Sequence, residues 1–285
     1  RMRLMRHLTS SLFLLGVSRY VKYFKNLSKM HREYPELPGT RGTLEINGQT
    51  VGYRVHVVPE TKRAVLVHGW GSSADLTWMA LMRSGEVSFL ALDLPGYGES
   101  SYLKNITTHQ MAHLFNMAVR LLGFTDAALV AHSYGGVVAS SMRKQEPEFF
   151  RGLVMVSSTK SFKRFPLSLY VKIAPYLLGK HSPLSVWSAH KEIQSCGPDA
   201  AAWRWSQRPG FKSMAAAAHA VREIDDSDWC GENTHWIVPE KDRCIRPALQ
   251  TGCVGSSDTV TMVAMAGHGF HETDPDVVID AIKHV

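Results

Sequence analysis

Not one aspartate or glutamate stands in the first 32 residues of this 285-residue chain, whereas eight arginines and lysines do: Arg1, Arg3, Arg6, Arg19, Lys22, Lys25, Lys29 and Arg32. The formal charge of +7 is therefore largely a property of one segment. No recognisable nucleic-acid module stands behind that charge, which argues against nucleic acid as a partner. The chain also lacks an apolar run of the roughly 20 residues that a membrane-spanning helix needs. Its N-terminal candidate, Leu8 to Val17, is about half that length and is interrupted by Thr9-Ser10-Ser11. No small-residue cleavage site follows it, because Gly16-Val17-Ser18 leads straight into Arg19, so a secretory leader is not expected. Cysteine is scarce. Cys196, Cys230, Cys244 and Cys253 show no C-x-x-C or other metal spacing, which predicts no metal site. Read as buried free thiols, they fit a reducing, cytoplasmic compartment, although an even count leaves disulfides open. Internal repeats and low-complexity tracts are missing too, which excludes a solenoid and favours one large core with an insertion.

What is present begins with the basic segment. Leu8, Leu12 and Leu15 share one helical face, followed by Arg19 and Lys22. An amphipathic helix of this kind either lies on an anionic membrane surface through residues 1–30 or packs on its own domain or a second subunit. The expected location is cytoplasmic, with membrane association in the first case. A linker ending Pro35-Glu36-Leu37-Pro38-Gly39 closes this segment at about residue 40.

From there the pattern changes. Thr43-Ile46 and Gln49-Val57 flank Asn47-Gly48, a hairpin signal. Ala64-Val67, Val87-Leu92, Ala127-Val130 and Leu153-Val156 read as short buried strands, separated by helical stretches at Ala74–Met82, Thr108–Leu122 and Gly135–Gln145. Such alternation predicts a mostly parallel α/β sheet with helices on both faces. From Thr159 to Asp228 the strand signals vanish, and prolines, tryptophans and Met214-Ala215-Ala216-Ala217-Ala218 indicate a helical insertion. Sheet rhythm returns with His235-Val238 and Val260-Met265, and Asp274-Pro275 opens a last helix. The expected division is a basic segment over 1–40, core over 41–158, helical insertion over 159–228 and core again over 229–285.

One junction carries chemistry. Ala127-Val130 runs into Ala131-His132-Ser133-Tyr134-Gly135-Gly136 and then a helix. A serine on a sharp strand-to-helix turn between small residues has its hydroxyl pushed out over the sheet edge, with free helix N–H groups behind it. Ala131 stands where glycine is usual, which weakens the pattern without removing it. On its own the junction also reads as a plain strand–helix boundary with a serine N-cap.

Three further motifs decide between these readings. They are His68-Gly69-Trp70-Gly71-Ser72-Ser73, Asp93-Leu94-Pro95-Gly96-Tyr97-Gly98-Glu99-Ser100 and Gly267-His268-Gly269-Phe270, each at the end of an expected strand. With the serine elbow, and in this order, they resemble the α/β-hydrolase superfamily over roughly residues 43 to 285. The resemblance implies the α/β-hydrolase fold with a helical cap over residues 159–228. It also implies a catalytic triad of Ser133, Asp242 and His268. His271 is the rival base, but lies in a more polar turn beside Glu272. Glu240 is the rival acid, and Pro239 stands where the family often has glycine. The backbone N–H groups of Trp70 and Tyr134 are the implied oxyanion donors. His68 is expected to brace its loop, and Asp93 to hold a structural turn.

A serine at the elbow speaks against the aspartate-nucleophile branches, the epoxide hydrolases and haloalkane dehalogenases. It fits an esterase or lipase acting on a small-molecule ester or acyl substrate with an apolar part, and no cofactor is implied. The alternatives are a carbon–carbon bond hydrolase, for which cap cations such as Arg204 would matter, an acyltransferase, and a non-catalytic receptor on the same fold. The sequence leaves the natural substrate, the oligomeric state and the water-or-other acceptor open.

Overall fold

Eight strands make one sheet in the order β1-β2-β4-β3-β5-β6-β7-β8 in a computed structural model that describes residues 36–160, 162, 167–180, 182–222 and 233–285, together with Gly16, Ser18, Arg19, Val21 and Lys22. The membrane-contact expectation for residues 1–30 lies almost wholly outside these residues. Strands β1 (Thr40–Ile46) and β2 (Gln49–His56) form the expected hairpin. Its turn needs positive φ at both central residues, and Asn47 (52°) and Gly48 (74°) supply it. β2 pairs antiparallel with β4 (Val87–Leu92). Every later pairing is parallel, through β3 (Lys62–Val67), β5 (Ala127–His132), β6 (Phe150–Val156), β7 (Thr234–Pro239) and β8 (Thr259–Val263).

Alternate residues of the central strands enter two cores. Val65, Val67, Leu90 and Leu129 pack on one face, beneath α3 (Thr108–Leu121) and α4 (Gly135–Gln145). Leu66, Phe89 and Val130 pack on the other, with Trp78 and with Ile279 and Ile282 of the last helix. Burial on both faces is why these strands read as unbroken apolar runs. The expected helix over Ala74–Met82 is broken. Trp78 (φ −108°, ψ 12°) separates α1 (Ala74–Thr77) from α2 (Met79–Ser84). The bend lets the indole enter the core, where it is fully buried, and that burial outweighs one regular helical turn.

Between β6 and β7 the chain forms α5 (Leu167–Leu178), α6 (Pro183–Cys196), α7 (Pro198–Ser206) and α8 (Phe211–Arg222), with no strand among the described residues. Prolines open α6 and α7, positions where a missing N–H costs nothing. After β7 come α9 (Pro247–Thr251) and α10 (Asp276–His284). The described cysteines are free thiols, as expected, but not buried ones: Cys196 and Cys244 are exposed and Cys253 is half-buried. Cys196 ends α6, and Cys244 lies on the loop after β7, so neither shares a core-facing position.

The register aligns the site. Val67 pairs with both Leu92 and Ala131, His132 with Val156, and Pro239 with Val263. The loops that follow these strands therefore emerge at one sheet edge. A charge network fixes this edge to the hairpin. Arg54 makes two hydrogen bonds to Asp75 (2.9 and 3.0 Å), while Arg41 reaches both Asp75 (3.2 Å) and the fully buried Asp93. Asp93 also accepts from the N–H groups of Ala74 and Glu99, both at 3.1 Å. Arg41→Ala would strand a buried carboxylate and is expected to cost about 3 kcal/mol, the usual range for breaking one half of a buried pair. A urea midpoint that hardly moves would show that the two amides alone sustain Asp93.

Candidate active site

The turn after β5 puts Ser133 at φ +53°, a left-handed conformation that a serine adopts only when its surroundings impose it. They do so by hydrogen bonding and close packing. The Ser133 N–H donates to the Val156 carbonyl (2.9 Å), and the Ser133 carbonyl accepts from Ser158 Oγ (2.7 Å) and from the Gly136 N–H (3.0 Å). A side chain at Gly135 would lie 2.4 Å from the His68 carbonyl oxygen, so only glycine lets α4 start this close to β3. Ala131, in place of the usual glycine, keeps regular pairing with Val67 and Met155.

His268 lies on the loop after β8. Ser133 Oγ is 3.0 Å from its Nε2, and its Nδ1 is 2.9 Å from Asp242 Oδ2. A carboxylate only accepts, so Nδ1–H donates to Asp242 and the Ser133 hydroxyl donates to Nε2. Asp242 is buried, and its oxygens accept three more hydrogen bonds: from the N–H groups of Cys244 (2.8 Å) and Ile245 (2.9 Å), and from Gln250 Nε2 (2.8 Å). The two loops are joined by main-chain bonds, Glu240 N–H to the Val263 carbonyl (3.0 Å) and Lys241 N–H to the Ala266 carbonyl (2.8 Å). Pro239 is the last residue of β7 and does not disturb the turn, since its carbonyl accepts the Asp242 N–H at 3.3 Å. Glu240, the rival acid, is exposed and accepts the Met265 N–H at 3.4 Å.

The loop after β3 completes the arrangement. A Cβ on Gly69 would meet Ser133 Cβ at 3.2 Å and His132 Nδ1 at 2.7 Å, so this loop passes directly beside the serine. The Trp70 and Tyr134 N–H groups find no acceptor among the described residues. The Trp70 side chain reaches the insertion, where its Nε1–H donates to the Met214 carbonyl of α8 (3.2 Å) and its ring stands edge-on to Tyr170 of α5 (6.3 Å). His68 braces as expected: Nδ1–H donates to the Gly69 carbonyl (2.8 Å) and Nε2 accepts the Leu94 N–H (2.9 Å). Complete burial holds it neutral, with its pKa lowered to about 4.

The sequence profile of the Alpha/beta hydrolase family matches residues 64–281, a span that contains each of these loops. The chain belongs to the alpha/beta hydrolase family. Among curated proteins, the chain is 32% identical over 135 residues to the uncharacterized hydrolase YugF of Bacillus subtilis, covering 46% of this chain and 50% of that protein. It is 35% identical over 100 residues to pimeloyl-(acyl-carrier protein) methyl ester esterase of Yersinia enterocolitica, covering 34% of this chain and 37% of that enzyme. The matches thus span half or less of these relatives' lengths. Among solved structures, a hydrolase of Pseudomonas aeruginosa superposes with a TM-score of 0.70 at 17% identity, over 86% of this chain and 98% of the other. An esterase of Exiguobacterium antarcticum gives 0.69 at 16% identity, over 87% and 98%. At such identities the likeness is one of fold.

Three features of this site escaped sequence reasoning. His132 ends β5 beside Gly69 of the β3 loop, and its Nε2–H donates to the His268 carbonyl (3.1 Å). His271 is not in a polar turn. It is 1% exposed, packed on His132 (ring centroids 4.3 Å) and Trp78 (5.1 Å), and does not reach Ser133. Cys244 places its thiol beside the histidine–carboxylate pair, and ligand atoms of Asp242, Cys244 and His268 lie within 4.8 Å of one another. These three are the described residues best placed to hold a metal, but all four acceptor positions of Asp242 are already occupied by N–H groups. Although Cys244 as a whole is exposed, desolvation of its thiol and the Asp242 charge push that thiol up to about 11, so it stands there protonated. Arg204, the cation offered for an acidic substrate, is engaged by Glu272 (3.1 Å) and approaches Glu192 (3.9 Å).

Proposed function

We propose that this hydrolase cleaves carboxylic esters with an apolar acyl or alcohol part, using Ser133 as nucleophile, His268 as base and then acid, and Asp242 as the group that orients it. The observation that carries the proposal is the unbroken relay Ser133 Oγ–H to His268 Nε2 and His268 Nδ1–H to Asp242. In this mechanism the Ser133 oxygen attacks the ester carbonyl while its proton passes to Nε2. The oxyanion is held by the Trp70 and Tyr134 amides, whose hydrogens find no acceptor among the described residues. The imidazolium, stabilised by Asp242, returns the proton to the departing alcohol and leaves an acyl-enzyme. Water then enters by the same route, with His268 again as base. The helices between β6 and β7 act as the cap, with Tyr170 and Met214 contacting Trp70. A curated relative named as a methyl ester esterase supports the choice of ester over other acyl bonds. The carbon–carbon alternative needs a free cation for a carboxylate, and Arg204 is committed to Glu272. A receptor would have no use for the intact relay.

The test is labelling with a fluorophosphonate and mass spectrometry of the adduct. The expected result is one adduct on Ser133 that disappears in His268→Ala. Folded protein that stays unlabelled would overturn the hydrolase reading.

A further inference from the structure

We propose that the outer face of α5 docks on an anionic lipid bilayer. A helix on the surface of a soluble domain normally buries one apolar stripe and shows water a polar one. Helix α5 buries Leu167, Val171, Ala174 and Pro175. Its opposite face is also apolar. Leu169 (49% exposed), Ile173 (43%), Tyr176 (69%) and Leu177 (41%) follow one another at helical spacing along it. The patch continues onto α8, where Phe211 (45% exposed) packs edge-on to Tyr176 at 4.9 Å. Apolar surface concentrated in this way, unlike single exposed leucines, calls for a partner.

Charge identifies which partner. Lys172 lies within the stripe, and Lys212 follows Phe211; both are exposed. No aspartate or glutamate occurs between Glu148 and Glu192, a stretch that holds the whole of α5 and, from Thr159 onward, Lys160, Lys163, Arg164, Lys172, Lys180 and Lys191. An apolar face that carries Lys172, borders Lys212 and lies in an acid-free stretch of sequence suits the boundary between acyl chains and anionic headgroups, where the apolar side chains sink in and these two ammonium groups stay at headgroup level. A protein partner recognised by an apolar groove would need no such exclusion of acids. No described helix is long and apolar enough to cross a membrane, so the contact is peripheral. The inner side of the same helix carries Tyr170, whose ring stands against Trp70. The bilayer would therefore lie about one helix diameter, roughly 10 Å, from the loop beside Ser133.

The experiment is flotation of the full chain with phosphatidylcholine vesicles, with and without phosphatidylglycerol. The wild type is expected to float with the anionic vesicles. Ile173→Asp combined with Leu177→Asp is expected to weaken partitioning at least about tenfold, and Lys172→Glu to weaken it on anionic vesicles alone. Ile173→Trp, which enlarges the apolar face, is expected to strengthen it. Equal flotation of wild type and the double variant would overturn the proposal, because the basic N-terminal segment or another surface would then carry binding. So would a wild type that does not float. A dimer in sedimentation that the double variant dissolves would assign the face to a second copy and also overturn it. None of these side chains touches Ser133, and fluorophosphonate labelling is expected to be unchanged in every variant. A failure of docking is thereby distinguished from a failure of the hydrolase reading.

Discussion

Alanine in place of His268 is expected to lower ester turnover by about 10⁶-fold, the scale seen when the base of a serine triad is removed. Ser133→Ala should be equally damaging, and the double variant hardly worse, because the two side chains act as one unit. Asp242→Asn is the more discriminating change. The amide keeps the shape of the loop, and its oxygen can still accept from the Cys244 and Ile245 N–H groups. The amide NH₂ then faces the atom that His268 Nδ1 occupies 2.9 Å away. That forces the wrong tautomer on the imidazole and should lower kcat by about 10⁴-fold with KM little changed. Glu240→Gln, on the exposed side of the same turn, should leave kcat within a few-fold. Steady-state kinetics on a soluble ester would check all five. If Asp242→Asn kept near-full turnover while Glu240→Gln lost it, the acid would be misassigned.

Mild acid should destabilise the fold well above the range in which most carboxylates titrate. Burial lowers His68 to about 4 and His271 to about 3, and takes His132 well below its ordinary value, with His271 and His268 adding to the last effect. The unfolded chain binds a proton at each near pH 6.5. Above that pH both states are neutral and the histidines contribute no slope. Below it the unfolded state takes up protons that the native state refuses, so stability falls as pH falls. Each histidine contributes about 1.4 kcal/mol per pH unit, and three together about 4. Urea midpoints at pH 8.5, 7.5 and 5.5 would be nearly equal for the first pair and much lower for the third. A flat series would refute the assignment. His271→Phe should remove about a third of the slope. Neither ring nitrogen of His271 has a hydrogen-bond partner among the described residues, so the phenyl ring should also relieve a buried polar group at neutral pH.

The parts of this molecule that could be read from sequence are those with local causes. Buried parallel strands announce themselves as apolar runs, and the elbow by small residues around Ser133. Helices of the insertion show as an absence of strand signal. What stayed hidden depends on residues far apart. The break at Trp78 follows from a place for its indole in the core, which the helix-forming residues on either side do not disclose. His271 reads as polar because Glu272 stands next to it, yet it is packed against His132 at the end of β5 and Trp78 between α1 and α2. Arg204 looks available until Glu272, 68 residues on, takes its guanidinium. Cys244 gains its setting only when the β7 and β8 loops meet.

Trp70 belongs to two parts of the molecule at once. Its amide is the proposed oxyanion donor, while its indole donates to the Met214 carbonyl. An insertion that swings away to admit a substrate must let go of that indole, and the amide loses its anchor in the same movement. On the proposed mechanism, admission and competence would then be alternate positions of one lever. A compound too bulky to let the lever return would still enter and bind, but it would meet a slack donor at the moment charge develops. A hydrolase built this way would sort its substrates by how fast they turn over rather than by how tightly they are held.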